Sequence, residues 1–257
     1  MHKFFTQPEY ISDKVARIIG DDVKHIYKVL RLTEGSEVIV NNSLGKEYLC
    51  KISSITKTEV EFDILEEVEK SNESSIEITL FQGLPKSQKM DLIVQKGTEL
   101  GVFKFVPVIT ERVDVKIKGE FKKLSRLSKI ALEAAKQSKR SIIPEVTEPI
   151  EFDDAIKSIQ NMDLFVVPYE NSQNYGINSL IREIKLDEIK KVGIMIGPEG
   201  GFEEVEIEAL KNNGAKIVTL GNRILRTETA GFVAASLIQY ELGDLGGVVR
   251  WEWHFIH

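Results

Sequence analysis

Between Glu37 and Ile64 apolar and polar residues alternate with a period of two. The runs are Glu37-Val38-Ile39-Val40, Tyr48-Leu49-Cys50-Lys51-Ile52 and Val60-Glu61-Phe62-Asp63-Ile64. Side chains on a strand point to opposite faces in turn, so each run predicts a half-buried β-strand. Asn41-Asn42-Ser43-Leu44-Gly45 and Thr56-Lys57-Thr58 carry the residue types of the intervening turns. With a helix predicted around Asp21 to Leu30, this part reads as a small β-barrel or meander of about 70 residues. That size suits an RNA-binding accessory module ahead of a structural cap on a larger domain.

The acidic, polar stretch Glu66-Glu67-Val68-Glu69-Lys70-Ser71-Asn72-Glu73-Ser74-Ser75 predicts a linker. Residues 1–70 and 76–247 are therefore expected to form two domains. Beyond the linker, strand-like and helix-like segments alternate. They are Ile76 to Phe81, Ser87 to Leu100, Phe105 to Ile109, Phe121 to Lys139, Leu164 to Val167, Val192 to Ile196, Val205 to Asn212, Ile217 to Leu220 and Glu228 to Leu242. Such alternation predicts an α/β domain with a largely parallel sheet covered by helices. In the second segment Met90, Ile93, Val94, Gly97 and Leu100 recur at helical spacing and mark its buried stripe.

Composition narrows the class. The 257 residues, 42% of them hydrophobic, suffice for one or two ordinary cores. A net charge of −6 excludes a polycationic tail but leaves room for a local basic face. One cysteine, Cys50, forms no internal disulfide and no cysteine-type zinc site, which fits a reducing cytosol. The start, Met1 to Glu9, meets charges and Pro8 instead of an apolar core, and no apolar run nears the ~20 residues of a membrane helix. Neither secretion nor membrane insertion is expected.

Two segments stand out chemically. Ile194-Met195-Ile196 runs into Gly197-Pro198-Glu199-Gly200-Gly201-Phe202-Glu203-Glu204, a strand leading through a tight loop to a helix start. Ligands of open parallel sheets sit at such carboxyl ends. A phosphate cradle does not fit: neither Gly-Lys-Ser/Thr nor G-x-G-x-x-G is present, and Glu199, Glu203, Glu204 and Glu206 put carboxylates where polyphosphate would lie. A neutral or cationic ligand suits the loop better, and so does a plain strand-to-helix turn with acids matching the helix dipole. The second segment, Leu220 to Gly231, follows Ile217-Val218-Thr219 and places Arg226 before a candidate N-cap at Thr227 or Thr229. Two adjacent strands ending in glycine-bearing loops would give one crevice two walls.

A third feature is electrostatic. Lys116, Lys118, Lys122, Lys123, Arg126, Lys129, Lys136, Lys139 and Arg140 face only Glu120 and Glu133 in that window, a local charge of +7. Part of this is a solvated helix face, and part resembles a footprint for phosphates that Lys86, Lys89, Lys96, Lys104 and Arg112 could extend. His2, His25, His254 and His257 with one cysteine assemble no zinc motif, and neither H-E-x-x-H nor G-x-S-x-G occurs.

Taken in order, Gly197-Pro198-Glu199-Gly200-Gly201 and Leu220-Gly221-Asn222-Arg223-Ile224-Leu225-Arg226-Thr227-Glu228-Thr229-Ala230 resemble the bacterial 16S ribosomal RNA uridine-N3 methyltransferases of the trefoil-knotted SPOUT superfamily. Lys3-Phe4-Phe5, His25 with Val29-Leu30-Arg31, Gln95 to Val102, Glu111-Arg112, Glu133 to Arg140 with Pro144, and Gly243-Asp244-Leu245-Gly246 extend the resemblance over nearly the whole chain. The tail Arg250 to His257 runs beyond it, without an assigned role.

The resemblance implies a PUA-like RNA-binding β-domain and an α/β domain with a deep trefoil knot, a topology no pattern argument would propose. It also implies S-adenosylmethionine as methyl donor, a homodimer, and a 16S rRNA or small-subunit substrate, with no metal and no membrane. The cofactor residues it implies are Pro168, Tyr169, Glu170, Gly197, Pro198, Glu199, Gly200, Gly201, Leu220, Gly221, Ile224, Leu225, Arg226, Thr227 and Ala230. For RNA it implies Lys3, Arg31, Lys86, Lys89, Arg112, Lys136, Gln137, Ser138 and Arg140. Uracil N3 must lose its proton to become a good nucleophile, so the site must supply a base or stabilise an anion. Arg226 is the candidate for the anion, with Glu228 either the base or a residue that caps the helix and orients Arg226. A sister enzyme acting on a ribose hydroxyl or a guanine, and a non-catalytic rRNA-binding factor, are the alternatives.

Overall fold

Five strands make the first sheet: β1 (Lys3–Phe5), β2 (Val15–Ile19), β3 (Glu37–Asn41), β4 (Glu47–Ile55) and β5 (Glu59–Val68), in the order β1-β3-β4-β5-β2. The protein is seen in a computed structural model that describes residues 1–68, 72–86, 88–114 and 121–247. Glu69, Lys70 and Ser71 of the expected linker, Lys116 and Lys118 of the basic segment, and the tail Arg250 to His257 lie outside the described residues. The alternation read from β3 to β5 is used as expected: Val38, Val40, Cys50, Ile52, Val60 and Phe62 are buried, with Phe4, Ala16, Ile18, Val23 and Ile26 packed among them. Burial pushes the Cys50 thiol up to about 12, so it stays protonated. β1 and β2 carry too little alternation to be read from the sequence. The expected helix is a short α1 (Asp21–Lys24) continuing as a π-helical turn, His25–Val29, before Arg31 enters the left-handed region at φ 54°.

The chain divides into two units, and their composition is not one cut in the linker. Met1–Glu73 joins with Ala135–Ile143, while Ser74–Ala134 joins with Pro144–His257. Buried polar groups fasten Ala135–Ile143 within the first unit. Arg140 is 4% exposed. Its Nη2 lies 2.6 Å and its Nε 3.1 Å from Glu73 Oε2. Glu73 Oε1 accepts the backbone N–H groups of Ser141 (2.6 Å) and Ile142 (3.0 Å). Asn41 Nδ2 donates to Ser141 O at 2.8 Å, and Lys3 pairs with Glu47 while donating to Lys139 O at 3.0 Å.

In the second unit a parallel sheet runs β12-β10-β11-β6-β7-β8, with β9 also on β7. Its strands are β6 (Glu77–Gly83), β7 (Val102–Ile109), β8 (Glu145–Val146), β9 (Ile150–Glu151), β10 (Leu164–Pro168), β11 (Lys191–Ile196) and β12 (Lys216–Val218). The helices are α2 (Lys89–Glu99), α3 (Leu124–Gln137), α4 (Phe152–Ser158), α5 (Ile177–Glu183), α6 (Glu204–Asn212) and α7 (Thr227–Leu242). Alternate residues of the central strands face opposite ways. Phe81, Val106, Phe165, Val167 and Met195 meet Ala155 of α4 and Ile207 and Leu210 of α6. The opposite face lies under α2 and α7, which pack on each other and place Gly97 against Phe105 and Gly231 beside Leu80 and Ile196. The α/β class is as predicted. β8, β9, α4 and α5 are additions, each too short to impose a period on the sequence. Among the described residues no helix is long and apolar enough to cross a membrane.

Candidate active site

Three strand ends converge at the carboxyl edge of the second sheet, where ligands of parallel sheets bind. β11 ends in Gly197–Gly201, β12 in the loop from Thr219 to Arg226, and β10 in Pro168, Tyr169 and Glu170. β10 lies between β11 and β12, so the two glycine loops are not on adjacent strands as expected. The middle wall is Pro168–Glu170, which strand adjacency alone would have left out. A cavity of about 370 Å³ lies among them, lined by Pro168, Glu170, Ile196 through Phe202, Ile224 through Thr227, Ala230 and Lys89. Tyr169, Leu220 and Gly221 line a smaller recess with Pro168 and Glu170. Ser172, Gln173, Asn174 and Asn222 line a polar one of about 330 Å³. Glu170 and Ile224 border all three, and Ile224 is 87% exposed.

The loops are held by close backbone approach. A Cβ on Gly83, the last residue of β6, would stand 2.5 Å from Pro198 N and 2.9 Å from Gly197 C. Gly201 has φ 71°, a region that costs other residues energy. At Gly200 a Cβ would meet Arg112 Cβ at 3.0 Å. Arg112 locks this loop, its Nε donating to Glu203 at 2.7 Å and its Nη1 to Gly200 O at 2.8 Å. Glu203 and Glu206 form a reciprocal capping box at the start of α6, so these acids complete the helix instead of facing a ligand. Arg226, not a threonine, is the N-cap residue of α7. Thr227 follows it and acts as a tie: its hydroxyl donates to Gly197 O at 2.6 Å and accepts from Gln82 Nε2 at 2.8 Å.

The cavity's charges are arranged around Lys89. Its Nζ lies 3.0 Å from Glu199 Oε1 and 3.4 Å from Glu228 Oε2. Glu228 Oε2 is buried without a hydrogen bond among the described residues, so this ammonium is its nearest compensation. Burial alone would raise the Glu199 carboxyl, but the Lys89 ammonium and the backbone N–H groups of Glu199 and Lys86 outweigh it and hold the group below its ordinary value. Glu199 chiefly raises Lys89 in turn. Glu228 stands behind Lys89 and does not itself line the cavity. Arg226 lines it, is exposed, and makes no ion pair among the described residues.

The candidate RNA residues separate on the same grounds. Lys89 lines the cavity, and Arg112, exposed, pairs with Glu203 beside the glycine loop. Arg140 is buried in the polar network of the first unit, where Glu73 closes over its guanidinium, and Lys3, half-buried, pairs with Glu47. Lys136 pairs with Asp22 at 3.0 Å, and Lys86 with Asp114 at 2.5 Å. Ser138 is half-buried with its hydroxyl 3.5 Å from Ala135 O, while Arg31 and Gln137 are exposed. Lys122, Lys123 and Lys129 stay on the surface of the second unit. No group of three potential metal ligands occurs among the described residues.

The family described as RNA methyltransferase domain matches residues 72–239, and the RNA methyltransferase PUA domain matches residues 18–65. The chain is 38% identical to ribosomal RNA small subunit methyltransferase E of Bacillus subtilis, over 90% of this chain and 91% of that protein. It is 34% identical to the protein of the same name in Aquifex aeolicus, over 93% and 99%. The crystal structure of the Neisseria gonorrhoeae ribosomal RNA small subunit methyltransferase E bound to S-adenosyl methionine superposes with a TM-score of 0.81 at 32% identity, covering 95% of this chain and 99% of that one.

Proposed function

Since this chain belongs to the ribosomal RNA small subunit methyltransferase E family, we propose that it methylates N3 of one uridine in 16S rRNA. The donor is S-adenosylmethionine, and the observation that carries the reading is the three-walled cavity at the ends of β10, β11 and β12. When bound, this cofactor supplies an electrophilic methyl group on a sulfonium cation. The lining suits it: Glu170 and Glu199 offer carboxylates to a cation, Ile196, Phe202, Leu225 and Ala230 offer apolar surface to an aromatic base, and the glycines bring backbone groups within reach. The cavity volume is of the order used by cofactor sites, about 300–1,000 Å³.

Arg226 is oriented by the start of α7 and makes no ion pair among the described residues, so it can donate to a uracil oxygen as N3 loses its proton. The first unit carries the PUA domain, and exposed cations such as Arg31 there and Lys122 and Lys129 on the second unit would hold RNA phosphates. A cytoplasmic location, the trefoil knot and a homodimer belong to the same reading. Leu237 and Tyr240 of α7, with Leu92 of α2, leave exposed apolar surface that a second copy would cover.

The deciding experiment is labelled methyl transfer from S-adenosylmethionine into small ribosomal subunits and into protein-free 16S rRNA, followed by nucleoside analysis. Labelled 3-methyluridine is expected, with the assembled particle preferred; its absence from both substrates overturns the reading. Two variants probe the parts. Gly83→Ala forces Pro198 away and should cost about 1–3 kcal/mol of stability while weakening the cofactor by tenfold or more, read by melting and calorimetry. Lys122→Glu with Lys129→Glu should leave cofactor affinity unchanged and flatten the salt dependence of subunit binding by roughly 0.9 in log-log slope per lost phosphate contact.

A further inference from the structure

We propose that Lys89 is a catalytic residue, whose ammonium stabilises the uracil anion and selects uracil over cytosine, with Glu199 and Glu228 as the carboxylates that aim it. The inference rests on the uridine-N3 reading above and concerns a residue whose sign alone suggested a phosphate contact. Lys89 begins α2, and its Nζ is held 3.0 Å from Glu199 Oε1 in the glycine loop after β11 and 3.4 Å from Glu228 Oε2 in the first turn of α7. A lysine ammonium has three N–H donors. Its nearest contact is Glu199, while Glu228 Oε2, 3.4 Å away, makes no hydrogen bond among the described residues, and because Lys89 lines the cavity the ammonium keeps donors for whatever enters.

The chemistry needs such a donor. As the N3 proton leaves to water, the charge left behind spreads over O2 and O4. The N3 lone pair then takes the methyl carbon, and the carbon–sulfur electron pair remains on sulfur. An anion forming between two cationic side chains, Arg226 and Lys89, is stabilised by both, and neither charge must move during the reaction. Glu228 lies behind Lys89 and does not line the cavity, so it serves better as the counter-ion that keeps the ammonium in place than as a base reaching N3. Without its two carboxylates a second cation beside a sulfonium would be expelled by like-charge repulsion. Cytosine carries an amino donor where uracil carries O4, so an ammonium facing that edge opposes it.

Wild type, Lys89→Met and Lys89→Arg are compared in single-turnover transfer to small subunits at saturating cofactor, with nucleoside analysis, calorimetric cofactor affinity and melting temperature. The proposal expects Lys89→Met to lose about 10²-fold in rate at full cofactor occupancy, as for loss of one oxyanion donor, and Lys89→Arg to restore most of it. If Lys89 only props Glu199 and its loop, cofactor affinity falls and the rate returns to wild type on saturation, which overturns the proposal. Where Lys89→Met melts early, Lys89→Gln, measured below its melting temperature, decides by the same ratio. A wild-type product other than 3-methyluridine overturns the uridine reading itself. Wild-type 3-methyluridine beside an unimpaired Lys89→Met overturns the role of Lys89 alone.

Discussion

Arg226→Ala should lower the single-turnover rate of methyl transfer by about 10²–10³ while cofactor and ribosomal-subunit affinities change little. The reasoning is one of difference. A cation that meets neutral uracil gains little, whereas the same cation beside a ring carrying negative charge gains a charge-assisted hydrogen bond, so the interaction strengthens only on the way to the transition state. The structure supplies the condition for this. Arg226 is exposed, lines the cavity and makes no ion pair among the described residues, and its backbone carbonyl accepts Ala230 N–H at 2.8 Å, which ties its backbone to the first turn of α7. A purely architectural Arg226 would show itself differently. Melting temperature or cofactor affinity would fall first, and the rate would recover when the cofactor saturates. Single-turnover rates read beside calorimetry and melting separate the two.

Arg140→Ala should destabilise the first unit by about 3–5 kcal/mol, since removing one partner of a buried ion pair takes away compensation that the other charge needs. Glu73 would keep the N–H groups of Ser141 and Ile142 but lose the guanidinium that neutralises it. Denaturant unfolding measures the loss, and the Glu73→Gln, Arg140→Ala double variant should recover part of it by removing the stranded charge. A change below about 0.5 kcal/mol, the scale of surface substitutions, would place Arg140 on an open face after all. Reversal of Arg140 is therefore a poor probe of RNA binding, because it would report unfolding.

Locally dense signals were legible in the sequence. The alternation from Val38 to Phe62 showed which residues enter the first core, and the Gly/Pro content after Ile196 and Leu220 located two walls of the cavity. Each of those signals is carried by neighbours in the chain. What escaped depends on partners far along it. A lysine at 89 or an arginine at 112 or 140 looks the same in sequence whether it faces solvent or Glu199, Glu203 or Glu73. Pro168, Tyr169 and Glu170 are named only through the family resemblance, because their forming a wall between the two glycine loops follows from sheet order, with β10 between β11 and β12, and strand order is not a local property. Thr227 was legible as a helix-start residue, but its tie to Gly197 and Gln82 exists only once three separate segments meet.

The membership of Ala135–Ile143 in the first unit sets an order of events during synthesis. The five strands are translated early, and Lys3, Asn41 and Glu47 meet one another there, yet Asn41 and Glu47 gain their contacts to Ser141, and Glu73 its contacts to Arg140, Ser141 and Ile142, only when residues 140 to 142 have been made. Until then the five-stranded sheet lacks the Ala135–Ile143 segment that its buried Asn41 and Glu47 contact, and a buried polar group left without a partner is costly. A fragment cut at the linker would be missing its own last piece. The nascent chain thus completes the unit that carries the PUA domain only after part of the methyltransferase domain has emerged, which couples the appearance of the two during translation.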